Sequence, residues 1–311
     1  DRATASAPFV LTMIGFAIGN ALIGRVVDRF GMSKTLIIAA VINSAGFTGA
    51  MNVQSVGMLS ALQFIIGFGT AAAFGPLIAD VSHWFLKRRG IAVAITASGN
   101  YFSGAIWPLF LNGILEDDGW RAVYFLLALT TLIVTVALAL PLRRQVSAET
   151  ARKSDEASEL KRKQVAYSPN ILVVMLSLAG LGCCVAMSMP QVHIVAFCVD
   201  LGYGPAAGSE MLSLMLFGGI VSRLLSGILA DRLGGVNTLL IGSTLQCVAL
   251  FLYLPFNGLT PLYVVSLIFG LSQGGIVPSY AIIVREYLPS ASAGEKVGLV
   301  VMATILGMAL G

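Results

Sequence analysis

Two octapeptides of the sequence share one frame. GRVVDRFG at residues 24–31 and GILADRLG at residues 227–234 both carry Gly, Asp, Arg and Gly at their first, fifth, sixth and eighth positions, 203 residues apart. Two Gly-rich runs that close with proline, GFGTAAAFGP from Gly67 and GLSQGGIVP from Gly270, repeat at the same spacing of 203 residues. Because separate landmarks recur at one spacing, the chain is predicted to consist of two related halves, and such a repeat decides the architecture.

The composition places these halves in a membrane. Hydrophobic residues make up 57% of the chain and charged residues 11%, with a mean hydropathy of +0.88. Ordinary soluble domains contain roughly a quarter charged residues, so this chain lacks the charged shell of a water-soluble protein. Apolar runs of about 20 residues, the length that crosses a bilayer, recur throughout. We therefore predict an all-α integral membrane protein.

Several classes of function are excluded by what the sequence lacks. The four cysteines lie in or beside apolar runs, and His83 and His193 are far apart, so we predict neither a metal nor a cofactor. No GxxxxGK[ST] stretch is present, which argues against ATP-driven transport. Without a Ser/His/Asp constellation or interleaved basic and aromatic residues, the protein is predicted not to be an enzyme and not to bind nucleic acid.

Helix-length apolar segments predict ten membrane spans, five on each side of a charged linker. The linker takes in residues 142–169 and separates an N-terminal bundle, residues 1–141, from a C-terminal bundle, residues 170–311. The predicted spans are residues 6–23, 35–53, 56–80, 90–114, 121–141, 170–199, 206–230, 236–255, 259–284 and 296–311.

The orientation and completeness of the chain follow from its connections. Basic residues mark the linker and alternate connections, so by the positive-inside rule these face the cytoplasm, as in a plasma (inner) membrane protein. The first span then enters from outside with no initiator Met, and the chain stops at Gly311 inside an apolar run. We therefore expect a fragment that lacks a first and a last helix, although a ten-helix protein remains the alternative.

The repeated octapeptides predict a cytoplasmic gate. A carboxylate at the edge of the bilayer can accept hydrogen bonds from a helix N-terminus or pair with an arginine, and such contacts break when helices slide apart. A plain turn with snorkelling charges is the alternative. The predicted gate residues are Gly24, Asp28, Arg29, Gly31, Asp80, Lys87, Arg88, Arg89, Gly227, Asp231 and Arg232.

Arg223 is the strongest candidate for a binding residue. It stands eight residues before Asp231 in an apolar helix, about 12 Å deeper at the usual helical rise. A cation at that depth is costly unless it faces a cavity or a partner, and its guanidinium matches a carboxylate; a structural ion pair or snorkelling is the alternative. Polar residues that could line the same cavity, or simply bond between helices, are Asn100, Tyr101, Gln273 and Tyr280.

The octapeptide frame resembles the signature loop of the major facilitator superfamily, which lies between its second and third helices and, degenerately, between its eighth and ninth. The resemblance covers the whole chain. It implies two pseudo-symmetric six-helix bundles that rock about a central site, with about ten helices present here, namely family helices 2–6 and 7–11. The second copy continues GGVNT and has lost the basic residues that usually follow.

A narrower resemblance is to the monocarboxylate porter family. It rests on HWFLKRRGIAVAITASGNYFSGAIWPLF at residues 83–110 and on Arg223 followed by Ser226, Gly227 and Ala230, a frame typical of that family's eighth helix. Animal members often carry an acidic residue four positions before this arginine, where this sequence has Gly219. The resemblance implies that Arg223 binds a carboxylate.

The sequence therefore predicts a monomeric secondary transporter that moves a small organic carboxylate, together with a proton, across the lipid bilayer by alternating access. Exchange of one carboxylate for another is the second form of coupling. A drug or neutral-solute exporter of the same fold and a membrane sensor that does not transport are the rival functions, because a fold does not fix the cargo.

Overall fold

The structure is a computed structural model that describes residues 2–85, 87–143, 148–163, 165, 167–288 and 292–311. In these ranges it is α-helical and has no β-strand. Residues 144–147, 164 and 166 of the predicted linker lie outside the described residues. The helices are α1 Arg2–Phe30, α2 Met32–Met51, α3 Val56–Thr70, α4 Gly75–Trp84, α5 Arg89–Asp117, α6 Gly119–Ala139, α7 Ala148–Lys163, α8 Pro169–Asp200, α9 Gly204–Leu233, α10 Gly235–Leu252, α11 Leu259–Gln273, α12 Ile276–Tyr287 and α13 Ala293–Leu310.

The predicted membrane spans coincide with these helices. Nine stretches of the described chain are long and apolar enough to cross a membrane, and two of them are broken pairs, α3 with α4 and α11 with α12. The tenth predicted span, residues 90–114, falls on α5, which has 29 residues but is less apolar than the other nine stretches. Its middle carries small and polar residues such as Asn100, Tyr101 and Ser103, which lower its hydropathy.

Several helix ends recur in the two halves at a spacing of 203 residues. Helix α1 ends at Phe30 and α9 ends at Leu233, which are 203 residues apart. The next residues, Gly31 and Gly234, have φ values of 87° and 83°, a left-handed conformation that glycine adopts without strain. Each span therefore runs through the whole octapeptide, further than the sequence indicated, and only its last glycine makes the turn.

Each half also contains one broken span. Helices α3 and α11 end at Thr70 and Gln273, again 203 residues apart, and the chain resumes as α4 and α12. Pro76 and Pro278 lie in the first turn of the second segment, where a missing backbone N–H costs no hydrogen bond. The Gly-rich runs of the sequence thus correspond to two helix breaks at equivalent positions.

The same helix crossing occurs in both halves. A Cβ atom at Gly67 would meet the carbonyl oxygen of Thr12, and a Cβ atom at Gly270 would meet that of Met215, which again lies 203 residues further on. Close backbone contact therefore joins α1 to α3 and α9 to α11. Between the halves, α1 packs along α13 and α5 packs along α9.

Candidate functional site

Arg223 lies in the middle of α9 and joins three helices. Its side chain is buried, with 3% of the residue exposed. Nε donates to the carbonyl oxygen of Gly274 at 2.8 Å, and Nη1 donates to the carbonyl oxygen of Ala97 at 2.7 Å. Gly274 follows the end of α11 and Ala97 belongs to α5, so the guanidinium contacts the helix break of its own half and a helix of the other half.

An aromatic ring, rather than an acid, faces this cation. The guanidinium carbon lies 4.1 Å from the centroid of the Tyr101 ring, a cation–π geometry. A Cβ atom at Gly219 would lie 3.2 Å from the same ring, so the ring occupies the space beside that glycine. Among the described residues, no carboxylate forms an ion pair with Arg223. The buried charge is therefore solvated by carbonyl dipoles and a ring face.

The guanidinium keeps donors for a ligand. It has five N–H groups, and within the described chain its hydrogen bonds use only Nε and Nη1. Nη2 remains available, and an arginine with a free terminal nitrogen can donate to a carboxylate oxygen. The site is thus chemically suited to an anion.

The break between α11 and α12 brings a second predicted residue close to this point. Gln273 precedes Gly274 and is 1% exposed, and its Oε1 accepts a hydrogen bond of 2.8 Å from Nε2 of Gln191 on α8. Gln191 was not among the residues predicted from the sequence. The signal that could have found it is an amide side chain directly after Pro190 in the apolar 32-residue helix α8.

The other two predicted lining residues lie on α5 and α12. Asn100 is exposed on α5, next to Tyr101. Tyr280 is 1% exposed and packs in a hydrophobic cluster that both halves form, with Ala97 from the first half and Ile283 from the second. In the described part of the chain, neither side chain is hydrogen-bonded to Arg223.

Asp28 of the first octapeptide caps a helix of the other half. Its Oδ1 accepts from the backbone N–H of Gly294 at 3.0 Å, and its Oδ2 accepts from that of Glu295 at 2.9 Å. Both donors lie in the first turn of α13, whose N-terminal N–H groups have no partner within the helix. A carboxylate at this position also interacts favourably with the helix dipole.

Asp231 of the second octapeptide makes the equivalent contact in the opposite direction. Its Oδ1 accepts from the backbone N–H of Gly90 at 2.5 Å, and its Oδ2 accepts from that of Ile91 at 3.1 Å. These donors form the first turn of α5. Each half of the chain therefore supplies the N-terminal cap of a helix in the other half.

The octapeptide glycines allow these caps to form. A Cβ atom at Gly24 would meet the carbonyl oxygen of Gly294, and one at Gly227 would meet the carbonyl oxygen of Gly90. Backbones thus touch at both crossings between the halves, α1 with α13 and α5 with α9. A solvent-exposed ion pair between Arg25 and Glu295, 2.7 Å long, adds little to the first crossing.

The remaining predicted gate residues divide into two sets. Arg89 donates from Nε to the Ser82 carbonyl and from Nη1 to the Arg285 carbonyl, each at 3.2 Å. Asp80 lines a cavity of about 190 Å³ together with Asp28. The others lie at the surface without bonds to the opposite half in the described chain, namely Arg29, Lys87, Arg88 and Arg232.

The linker helix α7 packs against the same face. Ser158 donates to the Arg285 carbonyl at 2.9 Å, and Lys161 pairs with Glu286 at 3.1 Å. Glu286 also accepts from the backbone N–H of Gly235 at 3.2 Å. Arg285 is fully buried and was not among the predicted gate residues, because a basic residue at a helix end resembles an ordinary cytoplasmic anchor.

The reciprocal caps should be measurable as stability. Replacing either aspartate, Asp28→Ala or Asp231→Ala, leaves two N–H groups without their acceptor and is expected to cost about 1–2 kcal/mol. The thermal midpoint of the purified protein in detergent should fall by about 2–4 °C per kcal/mol.

Asp200→Ala is the matched control, since Asp200 is exposed and has no hydrogen-bond or ionic partner among the described residues. If Asp28→Ala and Asp231→Ala have the same thermal midpoint as this control, the aspartates do not stabilise the protein as helix caps.

Comparison with known proteins agrees with this architecture. The sequence model of the Major Facilitator Superfamily matches residues 1–311. The chain is 24% identical to the MFS-type transporter pynF of Aspergillus niger, over 91% of this chain and 64% of that protein. It is 26% identical to monocarboxylate transporter 13 of Bos taurus, over 99% of this chain and 71% of that protein. The chain thus spans about two thirds of the length of these relatives, and their names describe transporters, not enzymes.

A solved structure supports the fold. The human organic anion transporter MFSD10 superimposes with a TM-score of 0.72 over 99% of this chain and 75% of that one, at 15% sequence identity. At this identity the likeness concerns the fold alone.

Proposed function

The chain belongs to the major facilitator superfamily of integral membrane proteins, and from that premise we propose that it transports a small organic carboxylate by alternating access, with Arg223 binding the carboxylate. The observation that carries the proposal is the buried guanidinium of Arg223, which faces no carboxylate among the described residues and keeps Nη2 available.

The energetics of this cation favour an anionic cargo. A buried charge costs several kcal/mol of desolvation, and carbonyl dipoles and a ring face recover only part of this cost. A carboxylate that enters the site supplies the missing counter-charge and accepts from Nη2. Neutral solutes bring no such gain. The similarity to a monocarboxylate transporter supports the same class of cargo.

The two bundles, residues 1–141 and 170–311, would then move against each other about this site, with residues 142–169 as their linker. In the present arrangement Asp28 and Asp231 tie the bundles together at the end that the basic residues assign to the cytoplasm. This supports their role as a cytoplasmic gate, closed here. Opening to the cytoplasm requires both caps to break and both glycine crossings to separate.

Within the site, Tyr101 holds the guanidinium plane against its ring, and the neighbouring Asn100 lies on the same helix. Gln273 lies beside the carbonyl that anchors Arg223. Tyr280 lies on α12 just beyond the break, in the hydrophobic cluster that both halves form. These are the residues that we propose to act on the cargo, directly or through Arg223.

Coupling to a proton is proposed on the resemblance to the monocarboxylate porters. One observation favours exchange as the second candidate: Tyr101 and Gly219 occupy the neighbourhood of Arg223 where an acidic partner would carry the proton.

An inward proton gradient separates these two mechanisms. Symport predicts that acidifying the outside of proteoliposomes drives uptake of labelled butanoate above its equilibrium level, and that a proton ionophore abolishes the excess. Uptake that depends on internal carboxylate and ignores the gradient would instead establish exchange.

Arg223→Gln tests the carboxylate site itself. Loss of a charge-assisted hydrogen bond costs about 1.5–3 kcal/mol, so carboxylate counterflow by the complete gene product should fall at least about tenfold. Neutral analogues such as butanol serve as the cargo control.

Arg143→Gln is the matched variant, because Arg143 is an exposed arginine in the predicted linker, outside the gate and the binding site. It should transport like the parent. Counterflow that survives Arg223→Gln, or that occurs only with neutral solutes, would favour the neutral-solute exporter, and saturable binding without counterflow would favour a sensor.

A further inference from the structure

The duplication supplies an internal comparison for the residues around Arg223. At the spacing of 203 residues, Asn20 on α1 corresponds to Arg223 on α9, and Thr70 at the end of α3 corresponds to Gln273 at the end of α11. Both pairs lie beside the helix break of their own half. Their hydrogen bonds therefore show what the scaffold requires at these positions.

In the first half, every side-chain nitrogen and oxygen atom of Asn20 and Thr70 has a hydrogen-bond partner. Asn20 is fully buried; its Nδ2 donates to the Phe16 carbonyl at 2.8 Å, and its Oδ1 accepts from the backbone N–H of Gly75 at 3.2 Å. The Thr70 hydroxyl donates to the Ile66 carbonyl at 2.8 Å. These bonds lie within one half and serve its fold.

In the second half, the break leaves donors over. Gln273 is 1% exposed and its Oε1 is bound by Gln191, but its Nε2 is buried and has no hydrogen-bond partner in the described chain. An amide donor buried without an acceptor is costly, and most native donors are satisfied. Of these four residues, only Arg223 and Gln273 have a side-chain nitrogen atom with no hydrogen-bond partner in the described chain, namely Nη2 and Nε2.

The free donors also share one piece of backbone. Arg223 is anchored on the carbonyl of Gly274, the residue that directly follows Gln273, and successive Cα atoms are about 3.8 Å apart. Gln191 on α8 also contacts this helix break, because its Nε2 donates a hydrogen bond to Oε1 of Gln273. An arginine and an oriented amide are thus attached to adjacent residues of one helix break.

We propose that Gln273, positioned by Gln191, forms a second subsite for the cargo, and that Nε2 of Gln273 donates to a hydroxyl or carbonyl oxygen separate from the carboxylate that Arg223 binds. The subsite rests on the proposed function. It selects small carboxylates that carry a second acceptor oxygen over carboxylates with a plain hydrocarbon chain. If the hydrogen bond between Gln191 and Gln273 were purely structural, it would hold α8 and α11 together without affecting which cargo is bound.

Specificity ratios distinguish these roles, because they do not depend on how much folded protein is present. Counterflow by the complete gene product is measured with butanoate, 2-oxobutanoate, 2-hydroxybutanoate and 3-hydroxybutanoate as competing cargo. The parent should prefer at least one oxygen-bearing acid over butanoate by about tenfold, the effect of one well-placed hydrogen bond. Gln273→Met, which keeps the length of the side chain and removes the amide, should bring that ratio to within about twofold while butanoate is still carried.

Gln246→Leu is the matched control. Gln246 on α10 is 2% exposed and also has an unpartnered amide atom, but its Nε2 donates to the Cys183 carbonyl within the second half. This variant should keep the parent ratio even if its yield falls. Gln191→Leu should reduce the ratio less than Gln273→Met, since it removes the positioning bond and leaves the donor.

An unchanged ratio in Gln273→Met, or a parent that does not prefer any oxygen-bearing acid, would overturn the subsite and leave the carboxylate site standing. A parent that carries no carboxylate would overturn the proposed function and the subsite with it.

Discussion

The exchange of helix caps between the two halves is the contact on which this arrangement depends. Asp28 satisfies the first turn of α13, and Asp231 satisfies the first turn of α5, so neither helix has its own N-terminal acceptor at these N–H groups. Glycine at each crossing lets the backbones approach closely enough for the carboxylate to reach. Because both ties are hydrogen bonds at the surface of the bundle, they can break and reform without unfolding a helix, as the proposed gate requires.

Much of this scaffold could be predicted from the sequence. The 203-residue repeat gave the equivalence of the halves, and the apolar segments gave the spans, since both signals are local or self-similar. The type of contact that the octapeptide aspartates make was also predictable, because a carboxylate at the end of a span either accepts from a helix N-terminus or pairs with an arginine. Their partners did not follow. Gly294 and Gly90 lie 266 and 141 residues from the aspartates that bind them, and only the packing of α1 on α13 and α5 on α9 brings them together.

The site was predicted less completely, for physical reasons. Arg223 stood out because a cation deep in an apolar helix is costly, but its neighbours depend on the helix rotation, which a stretch apolar on all sides does not reveal. Tyr101 was therefore one of several equal candidates, and Gln191 was missed. Tyr280 was an equivalent candidate in the sequence, yet its side chain packs in a hydrophobic cluster that both halves form. The buried Arg285 was not predicted, because its sequence position near a helix end is the same as that of an ordinary surface charge.

The duplicated scaffold has diverged at its two breaks, and this divergence is where function is expected. The amide of Asn20 forms its hydrogen bond within its own half, to Gly75, whereas Arg223 at the equivalent position donates to Ala97 of the other half. The same backbone framework thus supports a self-contained break on one side and a cation with spare donors on the other. Transport by the pair of bundles would then be asymmetric in chemistry although symmetric in fold.

Equilibrium binding of labelled butanoate to the purified protein tests the central claim most directly, because it needs neither a gradient nor turnover. The account predicts saturable binding to the parent that other short carboxylates displace and butanol does not. Arg223→Gln should abolish this binding, and Arg143→Gln should retain it. Binding of equal strength in Arg223→Gln, or displacement by butanol as effective as by carboxylates, would contradict the assignment of Arg223 as the carboxylate site.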